Sequence, residues 1–152
     1  MELHEKKFES LSYRLPANIK RGEQLPFQND LTTYTTPSGI EIERKGLVRD
    51  LGVSLTDNFT WTPHINKMVA SARKVASWVL GVFRDRSKVV MLQLYKSLIR
   101  SKLEYCSPLW NPSIVRDIET IEDVQRFFTN RISGMSDLSY WDILTALKLQ
   151  SL

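Results

Sequence analysis

From residue 62 onward, apolar residues recur every three or four positions, the spacing that places them on one face of an α-helix. Ile65, Met68, Val69, Ala72, Val75, Ala76, Val79 and Phe83 sustain the series for about five turns. Thr62-Pro63 predicts its start, a hydroxyl N-cap followed by proline at the first helical position. Arg84-Asp85-Arg86-Ser87 interrupts the pattern. A second helix is predicted over Met91, Leu94, Tyr95, Leu98, Ile99 and Tyr105, ending before Pro108. A third, capped by Ser113, places Ile114, Ile118, Ile121, Gln125, Phe128 and Ile132 on one side, with Gly134 just beyond its end. A shorter fourth begins near Ser139 and carries Tyr140, Ile143, Leu144 and Leu147. Short links between amphipathic helices make antiparallel neighbours, hence a small bundle.

Before residue 62 the pattern is different. Pro16, Gly22, Pro26 and Thr35-Thr36-Pro37-Ser38-Gly39 punctuate short segments of strand composition. Leu11-Ser12-Tyr13 is one candidate strand. Residues 31–34 and 40–43 form the arms of a predicted hairpin over Pro37-Ser38-Gly39. Leu51 to Leu55 is another candidate strand, with Gly52 where a bulge or a close backbone approach is expected. The expected class is α+β, mainly α: short N-terminal strands over residues 1–60, then a bundle of about four helices over 61–152.

Composition narrows the class without naming a function. The chain has 152 residues, 42% apolar and 25% charged, in the range of a globular protein of one ordinary domain. No apolar run approaches the ~20 residues of a membrane helix, so no membrane partner is expected. The first residues carry charge without an apolar stretch behind it, unlike a secretory signal. Cys106 is the single cysteine, which excludes an internal disulfide and argues for a reducing, intracellular setting. Asn58-Phe59-Thr60 fits the glycosylation pattern, which in that setting is chance.

Charge is concentrated rather than spread. The overall +4 divides into −1 over residues 1–62, +7 over 63–105 and −2 over 106–152. A local basic field attracts a polyanion, although a solvated lysine-rich surface is an equally simple reading. On a helical wheel the apolar residues of the first helix centre on Ala72, and Lys67, Lys74 and Trp78 fall together on the opposite side. A tryptophan beside two lysines either stacks on a base beside neutralised phosphates or packs against further protein. Lys96 and Arg100 stand one turn apart, a destabilising like-charge pair unless an anion lies between them. Lys102 falls in the apolar stripe and is expected to snorkel outward. Trp110 is expected to cap the core, its indole N–H on a loop carbonyl.

Catalytic constellations are scarce. His4 and His64 are far apart with one cysteine, too little for a zinc site of ordinary spacing. Neither a glycine-rich phosphate loop nor a Gly-x-Ser-x-Gly elbow occurs. Glu122-Asp123 is an adjacent acidic pair, but mid-helix neighbours diverge by ~100° and do not clamp one ion. A Cys106–His64 dyad lacks activating context, and a buried structural cysteine is the favoured reading.

Several segments, in order, carry a resemblance. They are Lys7-Phe8-Glu9, Thr36-Pro37-Ser38-Gly39, Val48-Arg49-Asp50-Leu51-Gly52-Val53, Phe59 with Pro63-His64-Ile65, the run from Leu94 to Cys106, Trp110-Asn111-Pro112, Ile121-Glu122 with Val124-Gln125-Arg126 and Phe128-Thr129, and Leu149-Gln150-Ser151-Leu152. Together they resemble the carboxy-terminal end of reverse transcriptases from jockey-type non-LTR retrotransposons. The resemblance implies a residual palm edge and primer-grip strands followed by a thumb-like bundle. It implies that Lys7 matches a palm-motif lysine that helps protonate departing pyrophosphate, and that Asp50, Leu51 and Gly52 lie near the primer end. It further implies a template–primer RNA/DNA partner for the helices, with Lys67, Lys74, Trp78, Lys96 and Arg100 as contacts. In that family the aspartates that hold magnesium lie upstream of Lys7, in palm and fingers that this chain would lack as a partial copy. The chain alone is then expected to be inactive, without a metal of its own, in the cytoplasm or nucleus. The alternative is a helical protein-interaction module, or an inert remnant, with no nucleic-acid role.

Overall fold

The computed structural model describes residues 7–13 and 33–152. The architecture is α+β, mainly α, and the chain divides into two compact units, Met1–Trp61 and Thr62–Leu152.

In the first unit, β1 (Leu47–Asp50) and β2 (Val53–Thr56) pair antiparallel, Leu47 opposite Thr56 and Asp50 opposite Val53. The register follows from the link. Leu51 (φ 44°) and Gly52 (φ 89°) are both left-handed, as a two-residue hairpin turn matched to strand twist requires. This corrects the expected strand over residues 51–55: Gly52 is a turn residue rather than a bulge, and the pleat starts at Val53, which is buried. Among the described residues the other predicted hairpin holds one bridge, Thr35 with Glu41, between the bonds Ile42 N to Tyr34 O (2.8 Å) and Thr36 N to Ile40 O (2.7 Å). Gly39 (φ 84°) turns the chain there. Leu11–Tyr13 is not a strand; the parallel bridge falls one residue earlier, between Ser10 and Arg44. Pro16, Gly22, Pro26 and residues 31–32 lie outside the described residues.

In the second unit, α1 (Thr62–Val82) buries Ile65, Met68, Val69, Ala72, Ala76 and Val79, the stripe expected from the spacing. Thr62 is the first helical residue rather than the cap, and its hydroxyl donates to Asp117 Oδ2 at 2.8 Å. The second helix runs as α2 (Lys88–Leu94), a π-helical segment (Tyr95–Arg100) and α3 (Ser101–Leu103). In a pure α-helix an i, i+4 series drifts ~40° per step. The wider π turn counters that drift, so Tyr95, Ile99 and Leu103 are all buried and Lys102 is exposed outside the stripe.

The helix ends at Leu103, earlier than expected. Cys106, left-handed at φ 54°, redirects the chain into the single turn α4 (Ser107–Trp110). Tyr105 is therefore exposed rather than part of the stripe. Trp110 is buried and its Nε1–H donates to Tyr105 O at 2.7 Å. Next, α5 (Val115–Thr129) starts after Ile114, so Ser113 is not its cap. Its inner face is Asp117, Ile121, Val124, Gln125, Phe128 and Thr129. Ile114 and Ile118 were expected inside but are exposed, because the bond from Thr62 turns Asp117 inward. Finally, α6 (Tyr140–Leu147) is capped by Ser139, whose Oγ accepts from Asp142 N.

α1 packs on α5, α3 and the π segment. At the centre Tyr95 stacks on Phe128 (ring centroids 5.5 Å) and its hydroxyl donates to Gln125 Oε1 at 2.5 Å. Gln125 Nε2 donates to Tyr140 Oη (2.9 Å) and Gln150 O (3.1 Å), and the Tyr140 hydroxyl donates to Glu122. Tyr95→Phe removes a donor and strands a buried amide oxygen, so it is expected to cost about 1–3 kcal/mol, read as a lower urea midpoint. Burial raises the Tyr95 hydroxyl far above its ordinary pKa of 10.0, and burial with the bond to Glu122 does the same for Tyr140. The folded chain keeps both protons where the unfolded chain loses them. Stability is therefore expected to be whole below pH 10 and to fall as the pH rises past it, in urea titrations across that range.

Candidate nucleic-acid interface

The buried stripe of α1 determines what its opposite side presents. With Ala72 and Ala76 fully buried, Lys67, Ser71, Lys74 and Trp78 are exposed on the reverse face. Trp78 is 58% exposed, and its ring lies edge-on to that of Phe83, at 6.4 Å between centroids in a T-shaped arrangement. Val82, one turn further on, is exposed too. The face therefore runs from basic to apolar toward the helix C-terminus.

The structure sorts the basic segment into cations with internal partners and cations facing water. Arg86 donates to Leu80 O at the C-terminal end of α1, where a positive charge meets the helix dipole favourably. Lys88 donates to Ala146 O. Arg100 is half-buried and its Nε donates to Glu104 Oε1 at 2.6 Å. The carboxylate of Glu104 thus relieves the Lys96–Arg100 repulsion, and an external anion is not required for it. The clue was present in the sequence as an acidic residue four positions after Arg100, within reach on a helix. Lys67, Arg73, Lys74, Arg84, Lys96 and Lys102 are exposed. Lys67 and Lys74 stand on α1 and Lys96 on the π segment packed against it.

The remaining candidates belong to the first unit. Lys7 is exposed. Asp50, Leu51 and Gly52 are brought together at the tip of the β1–β2 hairpin, with Leu51 84% exposed despite its left-handed backbone. A leucine there costs strain and gains no burial.

Among the described residues, no three His, Cys, Asp or Glu converge to hold an ion. Glu122 and Asp123 diverge as expected: Glu122 takes the Tyr140 hydroxyl and Leu152 N (2.9 Å), while Asp123 pairs with Arg126 at 2.8 Å. The described residues thus do not fit a magnesium site, and no step is assigned to one. His64 is buried against Trp110, 5.5 Å between ring centroids. Cys106 corrects the expectation of a buried thiol: it is exposed, because its left-handed backbone sits at the corner between α3 and α4. Among the described residues, no helix is long and apolar enough to cross a membrane.

No protein-family profile, curated sequence or solved structure matches the chain.

The placement of Cys106 is directly testable. One thiol per chain is expected to react with an aromatic disulfide reagent in native buffer within the mixing time of an exposed thiol. Reaction only after denaturant is added would contradict it.

Proposed function

We propose that this chain is the carboxy-terminal part of a jockey-type non-LTR retrotransposon reverse transcriptase, its helical unit gripping template–primer duplex as a thumb. The observation that carries the reading is the exposed face of α1, where Lys67 and Lys74 precede the half-exposed ring of Trp78 on the same side of the helix. Lysines on such a face neutralise phosphates, and an indole beside them offers a stacking or sugar contact. The ordered motifs from Lys7 to Leu152 and the +7 segment support the same reading. Within it, Lys7 matches the palm-motif lysine, the Asp50–Gly52 tip lies near the primer end, and the setting is the cytoplasm or nucleus. The reading assigns no metal-dependent catalytic step to any described residue; polymerisation needs carboxylates that hold two ions.

Of the four candidate cations Arg100 is engaged by Glu104, which leaves Lys67, Lys74 and Lys96 for phosphate. Three contacts give a slope of log affinity against log salt of about −3 for an RNA–DNA duplex. The double variant Lys67→Ala/Lys74→Ala is expected to reduce the slope magnitude by about 2. A flat salt response, or no binding at low salt, would contradict the proposal.

A second reading has its own observation. Leu109, Ile114, Val115 and Ile118 are exposed around the α4–α5 corner, as is Trp78 on α1, and apolar patches of this kind mark protein contacts. If the chain is a protein-interaction module, Trp78→Ala restores monodispersity in sedimentation and leaves duplex affinity unchanged. If the ring serves nucleic acid, the same variant weakens duplex binding.

A further inference from the structure

The segment after α6, residues 149–152, is tied back onto the helical unit. Lys148 is left-handed at φ 50°, and the bonds Lys148 N to Thr145 O (3.2 Å) and Leu149 N to Leu144 O (2.9 Å) close α6 and return the chain. Lysine is strained in that conformation, where glycine would not be. Leu149 is then buried, while Gln150 and Ser151 are exposed. The segment is held by one apolar side chain and by two backbone groups. The carbonyl of Gln150 accepts from Gln125 Nε2 at 3.1 Å, and the amide of Leu152 donates to Glu122 Oε2 at 2.9 Å. Together with Arg100 and Glu104, residues 150–152 line a cavity of about 390 Å³.

Both backbone groups act on one chain of hydrogen bonds. With its amide turned over, Gln125 would take the Tyr140 hydroxyl on Oε1 and donate from Nε2 to Tyr95 Oη. Residues 149–152 oppose that state twice. Gln150 O would face Gln125 Oε1, two acceptors with no proton between them, and Tyr140 is committed to Glu122, the carboxylate that also takes Leu152 N. With the segment docked, Oε1 faces Tyr95 and seats the hydroxyl of the first residue of the π segment. The next residue is the exposed Lys96, and Arg100 ends the same segment on Glu104. The π-helix is rare, and the Tyr95–Gln125 bond is a contact that holds this one. We propose that residues 149–152 are a latch: docked, they keep the π segment in the register that presents Lys96, and released, they let it relax to ordinary α turns and carry Lys96 away. The functional consequence rests on the reading of the helical unit as a nucleic-acid binder, and the latch regulates that same surface. The coupling itself is a property of the free chain.

Two variants of the full chain loosen the latch without changing charge. Leu149→Ala shrinks its buried anchor, and Leu152→Pro removes the amide that Glu122 accepts from. Gln150→Ala alters an exposed side chain and keeps the carbonyl, so it serves as the control. In residue-resolved NMR of the free chain, both latch variants are expected to shift the Gln125 side-chain amide and the backbone amides of Tyr95 and Lys96. The amides of Lys67 and Lys74 are expected to stay in place, and Gln150→Ala to move none of these. In RNA–DNA duplex titrations across salt, both latch variants are expected to give a slope of about −2 where the unaltered chain gives about −3. Lys96→Ala is expected to lower the slope magnitude by about 1 in the unaltered chain and by nothing further beside Leu149→Ala. Tyr95 and Lys96 amides that stay in place in both latch variants would overturn the proposal. So would a Lys96→Ala effect of equal size with and without Leu149. A chain that binds no duplex fails the nucleic-acid reading instead, and the shifts in the free chain still decide the latch.

Discussion

Gln125 is a fully buried polar side chain, and the helical unit is organised around satisfying it. The Tyr140 hydroxyl gives its proton to Glu122, so toward Gln125 it can only accept. The carbonyl of Gln150 can only accept as well. Both therefore take protons from Nε2, which leaves Oε1 to receive the Tyr95 hydroxyl. One amide orientation satisfies all partners, and it ties the π segment, α5, α6 and the C-terminal residues to a single arrangement. Such a network stabilises little on average, but a misregistered helix would leave several buried groups without partners. The stack of Tyr95 on Phe128 adds shape to that specificity.

From this constraint the outer surface follows. Tyr95, Ile99 and Leu103 point inward together along a backbone widened to a π turn, and that turn sets where Lys96 and Arg100 emerge. The bond from Thr62 to Asp117 joins the start of α1 to α5, so the two helices share a rotational setting. With its apolar stripe against α5, the π segment and α3, α1 turns Lys67, Lys74 and Trp78 to solvent. The basic segment is thereby divided: Arg86, Lys88 and Arg100 serve the fold, and Lys67, Arg73, Lys74, Arg84, Lys96 and Lys102 remain on the surface.

Features governed by short-range periodicity were legible in the residues alone. The α1 stripe, the start of the fourth helix near Ser139 and the core position of Trp110 with its N–H on a loop carbonyl follow from spacing and side-chain chemistry. Features set by tertiary contacts were not. Nothing local in Tyr95–Arg100 announces a π segment, and the inward turn of Asp117 needs Thr62, fifty-five residues away. Left-handed Leu51, Phe59 and Cys106 oppose ordinary residue preference, so propensity put Leu51 in a strand and Cys106 in the core. Of the candidate interface, the α1 face was legible because wheel geometry is local. The pairing of Arg100 with Glu104 was legible in principle, from an acidic residue one helical turn on.

The central claim is that a tightly specified helical interior presents the α1 face to duplex nucleic acid. Residue-resolved NMR of the full chain titrated with an RNA–DNA duplex tests it most directly. The account predicts that the largest shifts fall on the amides of Lys67, Ser71 and Lys74 and on the Trp78 indole N–H, while the buried Trp110 indole N–H is unmoved. Shifts centred on Ile114, Val115 and Ile118, or no shifts at low salt, would contradict it.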